Sequence, residues 1–338
     1  MNKIYQLLDE AFVRELFKKE VLPLYPAFKE IGGIRIIPHK KLIWETTYHV
    51  VIEFKTDFLD DKGGLKTVDI FCSAHSHEPR KNVYEALRFL WHHDFDKGGT
   101  TIPHPLFYSD YFRATFYEGV RGDNLYHFIK IRDRAEIERI VDEAAAWFAK
   151  LHRLPIQGTE SFQHNSRIKN IVPGVGHILE KIKEKHPEYY DRAKTIYERL
   201  IAGEEKFLDG TEKRWLVHGD AHPENIIKTG DAEIGVIDFT DLCLSDFARD
   251  LGGFLQQVEY MCKRKIGDAG FCENIKKIFL ESYLKHAKID LDPSLKERID
   301  LYYNWTAFRT AIFFLTSHLN KVERAEPLFD LVSKNLKI

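Results

Sequence analysis

One segment constrains this chain more than any other: Leu216-Val217-His218-Gly219-Asp220-Ala221-His222-Pro223-Glu224-Asn225-Ile226-Ile227, followed by Gly235-Val236-Ile237-Asp238-Phe239. An apolar strand delivers Asp220 into a loop. Asn225 follows five residues later, and an apolar pair resumes the extended pattern. Thirteen residues beyond Asn225, a second apolar strand ends in Asp238. Thr229-Gly230-Asp231 is a turn between the two strands. The spacing therefore predicts a hairpin that brings Asp220, Asn225 and Asp238 to one end of a lobe.

These residue types suit phosphoryl transfer. That reaction needs little covalent help and much positioning and charge neutralisation. Magnesium takes hard oxygen ligands, and Asp238 would supply a carboxylate and Asn225 an amide carbonyl. Asp220 would then accept a hydrogen bond from the attacking hydroxyl and orient it. Here the sequence resembles a known family. His218-Gly219-Asp220 with Asn225 is similar to the H-x-D-x-x-x-x-N loop of protein kinases and their small-molecule relatives. Gly219 and His222-Pro223 resemble the aminoglycoside phosphotransferase and choline kinase branch, because protein kinases usually carry Arg at the position of Gly219. Ile237-Asp238-Phe239 resembles that branch's metal-binding segment. Asp246 with Arg249-Asp250-Leu251 resembles the stretch after it, which implies that Asp250 buttresses the catalytic loop.

The rest of the chain fits a two-lobe order. Residues 3–19 follow helical spacing. Ile34–Pro38 and Thr47–Lys55 read as strands, joined by a basic turn at His39–Lys41, and Gly32-Gly33 reads as a turn before them. Asp60-Asp61-Lys62-Gly63-Gly64 is a strong turn signal, with a strand over Lys66–Ala74 after it. Pro79 should open a helix with Val83, Ala86, Leu87, Leu90 and Trp91 on one face. Leu106–Tyr108 and Ala114–Tyr117 read as two more strands. Helices are expected over Ala135–Leu154, Val175–Glu184 and Pro187–Gly203, and short strands over Trp215–Val217 and Ile234–Ile237. From Asp246 the pattern is helical, interrupted at Asp292-Pro293. The expected fold is α+β: a protein-kinase-like pair of lobes, with a small, mainly antiparallel β lobe over residues 1–117. A larger, mainly α lobe would span 118–338 and carry the catalytic loop at 216–241.

The resemblance also implies nucleotide contacts. Phe116 to Leu125 resembles the family's linker, whose backbone would hydrogen-bond adenine through Tyr117, Glu118, Gly119 and Val120. Glu85 is the natural helix carboxylate for pairing with a strand Lys that grips the α- and β-phosphates. The C-terminal half of the strand before that helix has no Lys. Lys55 is the candidate, with Arg80 and Lys81 at the helix start as alternatives. A phosphate-covering loop would fall at His39–Glu45. His152, which ends a family-like helix, is expected to be structural.

The leading expectation is an ATP- and magnesium-dependent phosphotransferase acting on a hydroxyl of an aminoglycoside-, choline- or sugar-like small molecule. Asp241, Asp246, Glu259, Tyr260 and Trp305 could line its acceptor site. The missing strand Lys motivates a second reading, a nucleotide-binding pseudokinase with a scaffold or regulatory role. A net charge of −2 gives no basic field for nucleic acid. No apolar run reaches the roughly 18–20 residues that span a bilayer. Asp9, Glu10 and Glu15 in the first segment argue against a signal peptide. Four cysteines without a CxxC pair read as reduced packing residues, so a cytoplasmic location with no membrane partner is expected.

Overall fold

A computed structural model describes residues 2–78, 80–159, 162–163, 165–317 and 321–338. The chain forms two compact units. The first takes the chain up to Arg121 together with Gly235–Thr240, and the second takes Gly122–Ile234 and Asp241–Ile338.

The first unit opens with a 3-10 turn at Lys3–Leu8 and helix α1 at Glu10–Glu20. The single helix expected over 3–19 is divided at Asp9. Asp9 turns extended so that its carboxylate accepts the Phe12 N–H at 2.9 Å and caps α1. Five antiparallel strands follow in the order β1-β2-β3-β6-β5: β1 Phe28–Ile43, β2 Tyr48–Asp60, β3 Leu65–His75, β5 His104–Ser109 and β6 Ala114–Glu118. A two-residue strand, β4, lies at Thr100–Thr101. Period-two burial sets the core face. Val50, Ile52 and Phe54 on β2 pair with Ala74, Cys72 and Ile70 on β3, and Phe58 and Val68 continue the buried pattern of each strand. Phe17 of α1 packs edge-on against Phe54 at 5.2 Å and Phe116 at 6.2 Å.

Strand β1 corrects two expectations. It runs through Gly32-Gly33 and through His39–Lys41, and the connection to β2 falls later, where the Trp44 N–H meets the Thr47 carbonyl. Pro38 is tolerated because β1 is the sheet edge and the register shifts between Pro38 and Lys40. The basic residues thus lie on a strand rather than in a loop. Helix α2 spans Lys81–Trp91 and buries Val83, Ala86, Leu87 and Leu90. The expected start at Pro79 lies outside the described residues.

The second unit begins with β7 at Asp123–Asn124, α3 at Leu125–Ile131 and α4 at Arg134–Leu151. Helices α5 (Val175–Lys185) and α6 (Tyr190–Leu208) precede β8 (Trp215–Val217), β9 (Ile226–Gly230) and β10 (Glu233–Val236). The chain continues through β11 (Cys243–Ser245), α7 (Ala248–Lys265), α8 (Ala269–Ala287), α9 (Pro293–Thr316) and α10 (Val322–Leu336). Strand β7 pairs antiparallel with β9, and β8 with β11. Asp292 caps α9 by accepting the Leu295 N–H at 2.7 Å, with Pro293 at the first helical position. Helices α7 and α9 pack backbone to backbone at Gly252. A Cβ there would lie 2.5 Å from the Ile299 carbonyl oxygen and 2.6 Å from the Tyr303 nitrogen. No described helix is long and apolar enough to cross a membrane. All four cysteines are buried and unbridged.

Candidate active site

Strand β8 ends where the loop expected to carry chemistry begins, and that loop is held from below. Asp250, in the first turn of α7, is buried. One of its carboxylate oxygens accepts the His218 N–H at 2.7 Å and the other accepts the Gly219 N–H at 2.9 Å. His152 Nε2 adds a third contact at 3.0 Å, while its Nδ1 meets the Tyr283 hydroxyl at 2.8 Å. Burial pushes the Asp250 carboxyl up. The His152 hydrogen bond, the charges of His152 and His218 and the Gly219 N–H outweigh it and hold the group below the usual carboxylate range. The expected buttress is therefore present, and His152 acts through it.

Gly219 adopts φ +82°, and a Cβ at this position would lie 2.2 Å from the Asp241 carbonyl oxygen. No side chain fits there unless the loop shifts, so glycine is required in this conformation. The buried Arg249 guanidinium donates to the Asn165 carbonyl at 2.5 Å and to the Gly219 carbonyl at 3.4 Å, closing the loop from its other side.

Asp220 and Asn225 come together in the second unit. The Asn225 side-chain N–H donates to the Asp220 carbonyl at 3.0 Å. That bond engages the amide nitrogen as a donor, and the amide oxygen can only accept. His222 Nδ1 accepts the Glu224 N–H at 3.2 Å, and its Nε2 lies 3.4 Å from the Asp220 carboxylate. A proton on Nε2 satisfies both contacts. Burial raises the Asp220 pKa, but the His222 contact and the charges of His222, Arg309 and His218 hold the carboxyl well below its usual range. Asp220 is thus an ionised hydrogen-bond acceptor at neutral pH.

Asp220 opens on a cavity of about 460 Å³, which also carries Gly219, His222, Gln257, Tyr260, Trp305, Arg309 and Phe314 on its walls. Its size suits a small ligand. Of the residues expected to line an acceptor site, Tyr260 and Trp305 line this cavity. Asp246 pairs instead with Arg298, Glu259 with Lys263 and Lys276, and Asp241 accepts from the Asn165 amide at 2.8 Å.

Asp238 lies in the first unit, in the left-handed region at φ +64°. A non-glycine residue held there is strained, and such residues concentrate at functional sites. One of its carboxylate oxygens takes both the Thr240 N–H at 3.3 Å and the Thr240 hydroxyl at 2.7 Å, leaving the other available. Asn82 in the first turn of α2 donates to the Thr240 carbonyl at 3.2 Å and steadies this turn. A carboxylate oxygen of the kind available here and an amide oxygen such as that of Asn225 are each hard donors of the type magnesium takes. No group of three or more His, Cys, Asp or Glu side chains converges among the described residues.

Two cations stand with Asp238. Burial lowers the Lys40 pKa first, the Arg80 charge lowers it further, and Asp238 opposes both. Arg80 is buried. One guanidinium nitrogen is 3.5 Å from Glu78, and its Nε has no hydrogen-bond partner among the described residues. Burial, with the charges of Lys40, His75 and Arg80, pulls His49 down to about 4. His75 is lowered by burial and Arg80 in the same way. Sequence reasoning noted Arg80 as a substitute cation. It missed Lys40 because it placed that residue in a turn.

Lys55 pairs with Glu53 at 2.9 Å and Asp69 at 3.4 Å. Glu85 has no salt bridge among the described residues and faces Tyr108, whose hydroxyl its charge helps to raise. In the linker, Tyr117 stacks on Phe71 at 5.9 Å, and burial followed by the Asp238 charge raises its hydroxyl pKa. Glu118 accepts the Tyr25 hydroxyl at 2.8 Å, and the Gly119 N–H bonds the Asp69 carbonyl at 2.9 Å. No hydrogen bond engages Val120 among the described residues.

A model of the phosphotransferase enzyme family matches residues 58–293, more than half of the chain. The chain belongs to that family. Its fold is also that of solved kinases and phosphotransferases. The streptomycin–ATP–APH(2'')-IIa ternary complex is 16% identical, with a TM-score of 0.55 over 97% of this chain and 98% of that one. Plasmodium vivax ethanolamine kinase is 12% identical, with a TM-score of 0.60 over 95% and 87%. Macrolide 2'-phosphotransferase MphH from Brachybacterium faecium is 12% identical, with a TM-score of 0.52 over 96% and 98%. No curated protein matches this chain in sequence. For this family member the α+β, kinase-like architecture is established, and the named substrates of its structural neighbours are chemically diverse.

Proposed function

We propose that this protein is a cytoplasmic enzyme that transfers the γ-phosphoryl group of ATP to a hydroxyl of a small molecule, with magnesium as cofactor. One observation carries the reading: the ionised Asp220, on a loop braced by Asp250, opens on a cavity of small-molecule size. Asp220 accepts the hydrogen bond of the acceptor hydroxyl and aims its oxygen at the γ-phosphorus. The new O–P bond forms as the bond to the β-phosphate bridging oxygen breaks, and ADP leaves. The hydroxyl proton passes to Asp220 late in a loose transition state and then to water. Asn225 and Asp238 would hold magnesium, which would neutralise phosphate charge. The linker Tyr117, Glu118, Gly119 and Val120 would meet the adenine.

The phosphate-gripping cation needs a new assignment. Lys40 and Arg80 are the better candidates, because Lys40 feels the charges of both Arg80 and Asp238, and the buried Arg80 has an Nε with no hydrogen-bond partner among the described residues. Lys55 already faces two carboxylates, and pairing of Glu85 with it has no support in the salt bridges. A cation supply beside Asp238 also weakens the motive for a pseudokinase. The decisive experiment measures ATP turnover against a panel of small alcohols, with Asp220→Asn as the control. Transfer by the native chain and its loss in Asp220→Asn, with the melting temperature retained, is expected. Full activity in Asp220→Asn would refute the mechanism, and nucleotide binding without any turnover would favour the pseudokinase.

A further inference from the structure

The face of the five-stranded sheet turned away from its core carries a cluster of nitrogen donors with few acceptors. Leu42, His49 and His75 stand in one row across β1, β2 and β3, because His49 pairs with both of the others in the register. Their side chains share the face opposite Val50, Ile52 and Phe54. The two imidazoles meet edge to face, with ring centroids 4.6 Å apart. His75 is fixed in one state. Its Nδ1 accepts the His77 N–H at 3.2 Å and the Glu78 N–H at 2.9 Å, so its proton sits on Nε2, and a second proton would set Nδ1 against two donors. His49 is not fixed, because neither of its ring nitrogens has a hydrogen-bond partner among the described residues. The Arg80 charge reaches both rings. Thr115 of β6 anchors that residue by donating its hydroxyl to the Arg80 carbonyl. The Arg80 side chain is buried, and its Nε lacks a hydrogen-bond partner among the described residues. Lys40 also acts on both rings and forms no salt bridge among the described residues. Two acids meet the cluster: Glu78, exposed and 3.5 Å from one Arg80 nitrogen, and Asp238, whose charge reaches Lys40. The exposed His77 completes the titratable groups around the two rings.

An imidazole among cations, with no acceptor to receive its N–H, is held neutral while the site is empty. Burial, then Lys40, His75 and Arg80, draw the His49 pKa down to about 4. A phosphate group against the cluster opposes these influences. It brings acceptor oxygens for the Arg80 Nε, the His75 Nε2 and His49, and its negative charge favours the protonated ring. We infer that His49 is a phosphate ligand that takes up a proton from solvent as a polyphosphate binds, while His75 beside it donates from Nε2 and stays neutral. The two imidazoles thereby supply part of a grip for which the C-terminal half of β3 offers no lysine. The inference rests on the proposed phosphotransferase reading for naming the polyphosphate as that of a nucleotide, and on the cluster alone for the proton. Linkage sets the sign: as far as the anion favours protonation of His49, protonation tightens the anion by the same factor.

NMR of the full chain carrying isotope-labelled histidine tests this, with the His49 signal assigned by its loss in His49→Gln and, as a second variant, in His49→Asn. With magnesium present, ATP and inorganic tripolyphosphate should each move the His49 titration up by about one pH unit or more, whereas adenosine leaves it in place. Calorimetry reads the reciprocal effect. The affinity for either polyphosphate lost in His49→Gln should be about two- to fourfold larger at about pH 5 than at about pH 8. The loss in His75→Leu should not grow toward low pH, since that ring acts as a neutral donor. An unmoved His49 titration with either polyphosphate bound, a loss in His49→Gln equal at the two pH values, or no binding of either polyphosphate at about 10 mM would overturn the inference. A loss in His75→Leu that grew toward low pH would also overturn it, by placing the proton on the other ring. Tighter binding of ATP than of tripolyphosphate identifies a nucleotide as the source of the polyphosphate, and the reverse order identifies free polyphosphate, with proton uptake upheld in both. Phosphorus NMR of ATP turnover separates the two ideas. Proton uptake by His49 without any transfer refutes the phosphotransferase reading alone, whereas transfer with an unmoved His49 refutes the present inference alone.

Discussion

Replacing Asp250 by Asn changes one oxygen to NH2 and leaves the shape intact, so it isolates what the buried carboxylate does for the loop. The carboxylate accepts three hydrogen bonds: His218 N–H at 2.7 Å, His152 Nε2 at 3.0 Å and Gly219 N–H at 2.9 Å. The first two share one oxygen. An amide can keep that oxygen toward His218 and His152, but its NH2 then faces the Gly219 N–H, donor against donor. The flipped amide opposes two donors and is worse. Charge matters as well. Burial raises the Asp250 pKa, yet the net shift is downward, so this site prefers the anion to a neutral group of the same shape. An unsatisfied buried N–H costs about 1–3 kcal/mol, and the two surviving bonds each weaken from charge-assisted to neutral. The sum is about 3–5 kcal/mol, the range expected when one partner of a buried charged network is removed. For a unit of this size that lowers the melting temperature by about 5–15 °C. Turnover should fall as well, by about a hundredfold, because Asp220 directly follows the released Gly219 and misplacement of about 1 Å has that effect. Thermal unfolding followed by circular dichroism, with turnover measured well below the transition, checks both. Asp220→Asn is the contrast, with activity lost and melting held within about 2 °C. If Asp250→Asn melted within about 2 °C of the native chain and kept its turnover, the buttress argument would be wrong.

Gly219→Ala should reduce turnover sharply and lower stability by about 2–4 kcal/mol, because a Cβ would lie 2.2 Å from the Asp241 carbonyl oxygen at a backbone angle of +82°; a fully active variant would show that the loop can shift away. Arg80→Gln and Lys40→Gln should each weaken ATP binding by about tenfold in calorimetry while Lys55→Gln changes it by less than about twofold, and the reverse order would return the phosphate contact to Lys55. His49, with a folded pKa of about 4 against 6.5 in the unfolded chain, binds its proton more readily when unfolded, so its contribution to stability is complete above pH 6.5 and is lost as pH falls toward 4. The loss should be about 1 kcal/mol after allowance for solvent screening, and His49→Gln should flatten the pH dependence of melting. An unchanged slope in that variant would show that other groups set it.

What the sequence made legible, and what it hid, divide along a physical line. The catalytic loop could be read because its constraints are local. Asp220, Asn225 and the Gly219 turn interact over a handful of residues, so residue type and spacing carry the information. The Asp250 buttress was legible because its segment follows the loop at a recognisable interval. The strands β3, β5, β6 and β8 announced themselves through apolar runs and flanking turns. Strand β1 did not, because an edge strand tolerates glycine, proline and a run of charge that a central strand would reject. Reading that tolerance as a turn moved Lys40 out of the sheet and left the phosphate cation apparently missing. The cavity beside Asp220 was hidden for a different reason. Only the packing of α7 on α9 at Gly252 brings Tyr260 and Trp305 to one cavity. Helical periodicity gives the stripe on each helix but not the partner it faces. The same division bears on function. Under the proposed function the chemistry would lie in a short motif, whereas the choice of acceptor would lie in long-range helix packing.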